Sequence, residues 1–523
     1  MKKVLLTILL AIVLLTQVGC QKKKLVANYD LGGEPRNLDP QTAKDIESIT
    51  VIQNIFEGLV KLDENGEIKP ACAKSFKVSD DGLVYSFQLD EDAVWQNGTH
   101  VIAADFAFAI NRILDKTTNS PFYEKYFIIK NAKSVYENSV ARENLGVKVL
   151  SDYSLQIELE YPSISFLTLL SDSSSMPCQE EFFYQTKGEY GLEKNTILSN
   201  SRYSLFSWKH MKLLKLAKND KYHALNPKGI DVVNLYLDKD ADKTSRFIDK
   251  KTDATFALPS EIEKVQKKGN NVRQIQNSTW GISFNNKNKQ LANVNIRKGI
   301  AKAVDKTSYD KRLPEFMTVA NSVISPGAMI GKKHYLELAQ PDPAYAYDPK
   351  AAKDYFDLGL SQLDGKPLDN VSIMIVEFDY IDHNDLFTYI SQILQRDLNL
   401  YIKVDKVTPA QYEKRLKTGD FDCVINKLSM KNNNPVTLFD EFKTESLYNV
   451  FGYSSSVLDM SLTAFDKSSS EEEMFQAITT ANNDILSNAQ FVPLYYDSDY
   501  FVISSDFVSN ISYNSLNGIV SFN

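Results

Sequence analysis

The 523-residue chain is poor in cysteine, histidine and tryptophan, with 4, 5 and 3 of them. Three cysteines lie in its body, Cys72, Cys178 and Cys423. An odd number so widely spread argues against a disulfide framework. The expectation is three buried thiols, although spacing alone leaves a Cys72–Cys178 bridge open. None of His100, His210, His223, His334 and His383 stands at metal-ligand spacing from another, and there is no CxxC, HExxH or Cys/His cluster. No metal and no cofactor is therefore expected. The chain also lacks a GxSxG elbow, a P-loop and a GxGxxG, so catalysis has no visible residues and no enzyme is expected. Asp80-Asp81 precedes Gly82 and reads as a turn, while Ser173 to Ser175 and Ser468 to Ser470 read as solvated loops. Lysine and arginine number 59 against 67 acidic residues, which disfavours nucleic acid as a partner. Beyond the first twenty residues no apolar run approaches the length that spans a bilayer.

Those first residues carry an address. Lys2 and Lys3 precede an apolar run, Val4 to Leu15, broken only by Thr7 and followed by Gln17 and Gly19. The pattern reads as a signal peptide over 1–19, whose removal leaves 57 basic groups against 67 acidic ones. The Gly19-Cys20 step resembles the lipobox of bacterial lipoproteins, which implies cleavage before Cys20 and acylation there. Several acyl chains would anchor the protein to the cell envelope through a tether over 20–26. Gln17 stands where a lipobox usually has leucine, and an ordinary signal peptide with an incidental cysteine is the alternative.

The rest has the composition of a folded protein, 43% hydrophobic and 24% charged. Its length calls for two or three lobes. Strand and helix patterns alternate throughout, which predicts an α/β or α+β fold. Tyr153 to Glu160, Val232 to Leu237, Val371 to Val376 and Phe491 to Tyr496 read as strands. Asp348-Pro349 opens a helix that Gly359 should end, and Thr408-Pro409 opens one that Gly419 should end. The segments 384–398 and 295–305 carry helical apolar stripes.

Several ordered blocks add a resemblance. Glu34-Pro35-Arg36-Asn37-Leu38-Asp39-Pro40 is followed by Phe56-Glu57-Gly58-Leu59, then Ser79 to Phe87 and Trp95-Gln96-Asn97-Gly98-Thr99. Ala104-Asp105-Phe106 leads to Asn111-Arg112, and Leu145 to Lys148 and Asn200 to Tyr203 come later. Phe284-Asn285, Ile296-Arg297, Ala301 to Asp305, Tyr347 to Ala352 and Gly419-Asp420-Phe421-Asp422 complete the set. From about Ala27 to Pro493 the chain resembles the extracellular solute-binding proteins of ABC importers, in the dipeptide/oligopeptide-binding class. The resemblance implies an α/β, two-lobed periplasmic-binding-protein-like fold with a hinge and an inserted extra domain. It would divide the chain into lobe I (27–56, 179–278 and 491–523), the extra domain (57–178) and lobe II (279–490). It also implies capture of a peptide or peptide-like ligand by hinge closure, and delivery to ABC permease and ATPase subunits. A monomer is expected.

The resemblance also nominates site residues. Ile46 and Phe122 fall at ligand-contacting positions, and His383 falls where oligopeptide binders carry a histidine; a surface histidine is its alternative. The aspartate that holds a peptide's ammonium in the family maps to Lys431, which would repel that group and favour an anion. Leu428 and Asn433 flank it as further ligand-binding candidates, and the loop Asn432 to Asn434 supports a plain surface reading of Lys431. Arg415 lies beside a position that is basic in the family, with a solvated helix face as the alternative. Leu428-Ser429 replaces a Trp-Cys pair, and Ser278 stands where some members put the partner cysteine, so both halves of that cystine are absent together. A blocked or cell-wall peptide, a metal chelate, or a role in sensing without import are the alternatives to ordinary peptides.

Overall fold

Helices and strands form where apolar spacing and capping chemistry place them, with a few instructive exceptions. The computed structural model describes residues 24–523 apart from 64–65, 225–228, 268–270, 341–345, 364, 366–367, 369–370, 377–383, 431–433 and 515–517. Thr408 caps helix Pro409–Thr418 in a reciprocal box with Gln411, and Gly419 ends it at φ 72°. Asp348 caps helix Pro349–Gln362, but that helix runs past Gly359 instead of ending there. Gly359 is a packing residue: a Cβ on it would come within 2.7 Å of Ile296. Gly299 on the facing helix, Val294–Ala303, is its counterpart against Phe356, at 2.8 Å. Two glycines thus let these helices cross closely.

The serine triplets also depart from expectation. Ser173, Ser174 and Ser175 are buried, and the last two bond the hydroxyl of the buried Tyr126 at 3.0 and 2.6 Å. Ser468 is buried too, while Ser469 is exposed. Ser174 and Ser175 are tolerated inside because Tyr126 partners them, and Ser468 because its Oγ donates to Ala464 O. The Asp80-Asp81 turn forms as expected, with Asp81 accepting from Ser79 Oγ and Leu83 N, and Gly82 at φ 70°. Cys72, Cys178 and Cys423 are all buried free thiols.

One large sheet runs the length of the molecule. Its strand order is 403–407, 372–376, 423–429, 271–284, 491–503, 254–257, 26–30, 232–236, 213–218, 203–209, with Thr318–Val319 added beside 491–503. A separate four-stranded sheet, in the order 73–78, 84–89, 154–158, 147–151, lies in the first half. Both sheets contribute to one core that contains Tyr29, Phe56, Phe87, Trp95, Leu155 and Leu214 and is closed by Phe501 and Phe522. The second lobe has two cores, one with Trp280, Phe284, Phe356 and Ile390, the other with Phe439, Phe451, Leu458 and Ile478.

The blocks that suggested the family turn out to be one another's partners. Arg112 makes a two-pronged pair with Asp39, Nη1–Oδ1 3.0 Å and Nη2–Oδ2 2.6 Å, and also donates to Gln41 at 2.6 Å. Trp95 Nε1 donates to Asp105 at 2.9 Å, and burial pushes that carboxyl up to about 6. Glu57 accepts from Tyr222 Oη at 2.7 Å and its backbone N–H donates to Asn200 at 2.9 Å. Asn285 bonds the backbone of Phe421 and Asp422, while Asp422 holds Asn288 and Ser372. Glu34 accepts from Trp208, His210 and Met211 N at the tip of the 203–218 hairpin. These groups pin distant segments together inside the scaffold.

Removing one partner of a buried ion pair strands the other charge. Asp39→Ala should therefore lower unfolding stability by about 3–5 kcal/mol, whereas Asp39→Leu with Arg112→Met should recover much of that loss. Urea unfolding midpoints of the three proteins check this, and an unchanged midpoint for Asp39→Ala would contradict it.

Candidate functional site

The chain passes between the lobes along two neighbouring antiparallel strands, 271–284 and 491–503. Ile275 belongs to the first core and Trp280 to the second, while Tyr495 packs in the second and Phe501 in the first. Between those points the ladder slips. Ile275 opposes Asp499 and Ser278 opposes Asp497, so Gln276 and Asn277 share a single opposite residue. Such a bulge bends the strand and interrupts its ladder, which suits a hinge. The carbonyls of Gln276 and Asn277 still find partners, Gly327 N and Met430 N, both at 2.8 Å.

A cluster of charged and aromatic groups sits at this crossing. Trp280 stacks on Tyr495 with 5.9 Å between centroids, and its Nε1 donates to Asp497 Oδ2 at 2.9 Å. Lys427, directly across the ladder from Trp280, donates to the same oxygen at 2.8 Å and lies 5.6 Å from the indole centroid. Asp497 is thus buried and held. Asp499, two residues on along the same face, differs: it is exposed, and its carboxylate makes no hydrogen bond or ion pair with a described residue. Protein nevertheless surrounds it closely enough that desolvation raises its pKa, with Lys427 pulling the other way and Asp497 adding to the rise.

The strand beside this cluster is paired unevenly on its two sides. Strand Cys423–Ser429 pairs along one side with 278–284, but only Cys423 and Val424 pair with Ser372–Val376 on the other. Among the described residues no strand covers the outer edge from Asn426 to Ser429. Ser429 lies directly opposite Ser278, and their hydroxyls are 3.3 Å apart. The two serines that replace the family's cystine are therefore in register.

The expected site residues fall in several places. Ile46 opens helix Ile46–Ile55 and is 49% exposed, with Asp45 as the cap. Phe122 is half-buried against the first core, tied through Ser120 to the carbonyl of Gln41. Leu428 points away from the Lys427 face into the core with Val424 and Met430, and is 2% exposed. Arg415 is occupied with Asp405 and Asp420, which makes it part of the scaffold. His383, Lys431, Asn433 and Cys20 lie outside the described residues. Asp499 was not anticipated, since an aspartate within an apolar β-run reads as the end of a strand.

The segment 57–178 also meets the second lobe away from the crossing. Ser163 Oγ donates to Asp466 O at 3.0 Å, Ile164 N to Ser468 O at 3.3 Å, and Lys467 lies over the Tyr161 ring. Lys332 pairs with Glu67, and that contact together with Lys69 lowers the Glu67 pKa to about 2. Crossing strands at one place and contacts of the 57–178 segment with the second lobe at another describe a two-lobed arrangement. Its form is that of a binding protein that encloses its cargo.

Comparison with known proteins agrees. The family described as bacterial extracellular solute-binding proteins, family 5 Middle, matches residues 67–449, and this chain belongs to it. An oligopeptide-binding protein OppA of Bacillus subtilis is 25% identical over 498 residues, covering 92% of this chain and 89% of that protein. The structure of Listeria monocytogenes OppA bound to peptide superposes with a TM-score of 0.72 at 25% identity, covering 96% of this chain and 98% of that one. The pheromone receptor PrgZ, solved for its mode of peptide binding, gives 0.72 at 26% identity, with coverage of 95% and 98%.

Directly opposed residues of an antiparallel pair lie within the Cα separation a disulfide accepts. Ser278→Cys with Ser429→Cys should therefore oxidise to a bond across the 271–284 and 423–429 strands. Thiol titration of the unfolded double variant would then find the same free thiols as the wild type. Two additional titratable thiols after oxidation would show that the register is wrong.

Proposed function

We propose that this chain captures peptides between its two lobes and delivers them to the permease and ATPase of an ABC importer. The crossing between the lobes along 271–284 and 491–503, bent at the Gln276-Asn277 bulge, carries the reading. An extended peptide can add there as a strand, gaining main-chain hydrogen bonds that are indifferent to its side chains. Ile46 on the first lobe and Phe122 on the extra domain would supply apolar contact across from it. Hinge closure then surrounds the ligand, and the contacts of 161–164 with 466–468 join the extra domain to the second lobe.

The ligand's ammonium needs a carboxylate in a cleft that excludes water. With lysine at 431, where the resemblance expects that aspartate, Asp499 takes the role. It is open, with its carboxylate unpartnered among the described residues, and on the strand beside the bulge to which Met430 is bonded. The lobe assignment follows the sequence blocks, with 57–178 as the extra domain, and second-lobe packing persists through Tyr495. Binding without chemistry, a lipid anchor at Cys20 and a monomeric state complete the reading.

Native mass spectrometry of the mature chain, purified without denaturation, tests it. Released peptides with free amino termini are expected, and Asp499→Asn should weaken their binding by at least tenfold. A released N-blocked or anionic compound would overturn the role of Asp499 and return the pocket to Lys431. Metal, or a ligand that is not a peptide, would overturn the peptide reading itself.

A further inference from the structure

We propose that a second site, on the second lobe and separate from the cleft, binds a small phosphate-type dianion: inorganic phosphate or a phosphomonoester. A cavity of about 230 Å³ is lined by Lys298, Lys302 and Lys306, with Asn321, Tyr355 and Ser487 as polar neighbours and Leu486, Phe491, Val492 and Pro493 among its apolar walls. The lining contains no aspartate or glutamate. Three cations therefore face one partly open cavity with no anion among its walls.

Their hydrogen bonding is incomplete. Each ammonium has three donors. Lys306 gives one to Ala320 O at 2.8 Å, and Lys302 reaches Ala346 O at 3.4 Å. Lys298 rests on the Tyr355 ring, 5.6 Å from its centroid. No ion pair joins any of the three to a described carboxylate. Lys298 and Lys302, four apart on helix Val294–Ala303, are like charges on one helix face, an arrangement that repels. The nearest acid in sequence, Asp305, is committed to capping Thr307 and Ser308. Burial pushes the Lys306 ammonium down to about 7, so its charge lacks compensation. A multivalent oxyanion would relieve all three defects together, and lysines supply it with unpaired point charges. The volume lies below the range typical of drug-sized ligand pockets, roughly 300–1,000 Å³, which limits the ligand to a small one.

The competing account is that the lysines merely complement the carbonyl ends of helices Val294–Ala303 and Glu471–Ser487. Titration calorimetry with the full mature chain at low salt and pH 7 separates the two, using inorganic phosphate and glycerol 3-phosphate as probes and chloride as control. Saturable binding of at least one probe is expected, weakened tenfold or more in Lys302→Met/Lys306→Met. Absence of saturable binding by the wild type, or equal binding by the variant, would overturn the proposal. Should the double variant not fold, NMR titration of Lys306 in the wild type decides. Its pKa rises with phosphate if the site exists and stays fixed if the lysines serve the helices alone.

Discussion

Two strands joining two lobes is the constraint on which everything else in this protein depends. A polypeptide that crosses between cores along 271–284 and 491–503 must keep backbone hydrogen bonds satisfied where no core surrounds them. Pairing the crossings with each other does this, and the Gln276-Asn277 bulge supplies a bend at the point where the cores separate. The same bulge carbonyls bond Gly327 and Met430, which ties the crossing to the residue just beyond strand 423–429. The bend at the crossing and the proposed ligand site therefore involve the same few residues.

Around that crossing, the scaffold is specified by buried polar pairs as much as by apolar packing. Arg112 with Asp39, Trp95 with Asp105 and Asn285 with the 421–422 backbone each tie segments far apart in the chain. Buried charges of this kind contribute little net stability but penalise any arrangement that separates them. That explains how a chain about 25% identical to its relatives keeps their fold over more than nine-tenths of its length.

Much of the fold was legible because it is local. Thr408, Pro409 and Gly419 define their helix by capping chemistry, and the stripe in Asn384–Leu398 lands in the second core through Phe387, Ile390 and Leu394. What escaped depends on distance in sequence. Gly359 reads as a helix stop until Ile296 is seen against it, and Ser173 to Ser175 read as solvated until Tyr126 is seen between them. The strand expected to end at Tyr496 continues to Ile503 because it must cross to the other lobe. Asp499 became visible as a site only with that crossing. The Ser278–Ser429 pair was legible as a shared absence, and the ladder gives it a physical form.

The central claim is that the space beside the crossing strands is the ligand site and that Asp499 faces it. A crystal structure of the protein with a peptide it retains tests this most directly. The account predicts the peptide backbone paired along Asn426 to Ser429 and its ammonium within hydrogen-bond distance of Asp499. A peptide lying away from that edge, or an ammonium held by another group with Asp499 in open solvent, would contradict it.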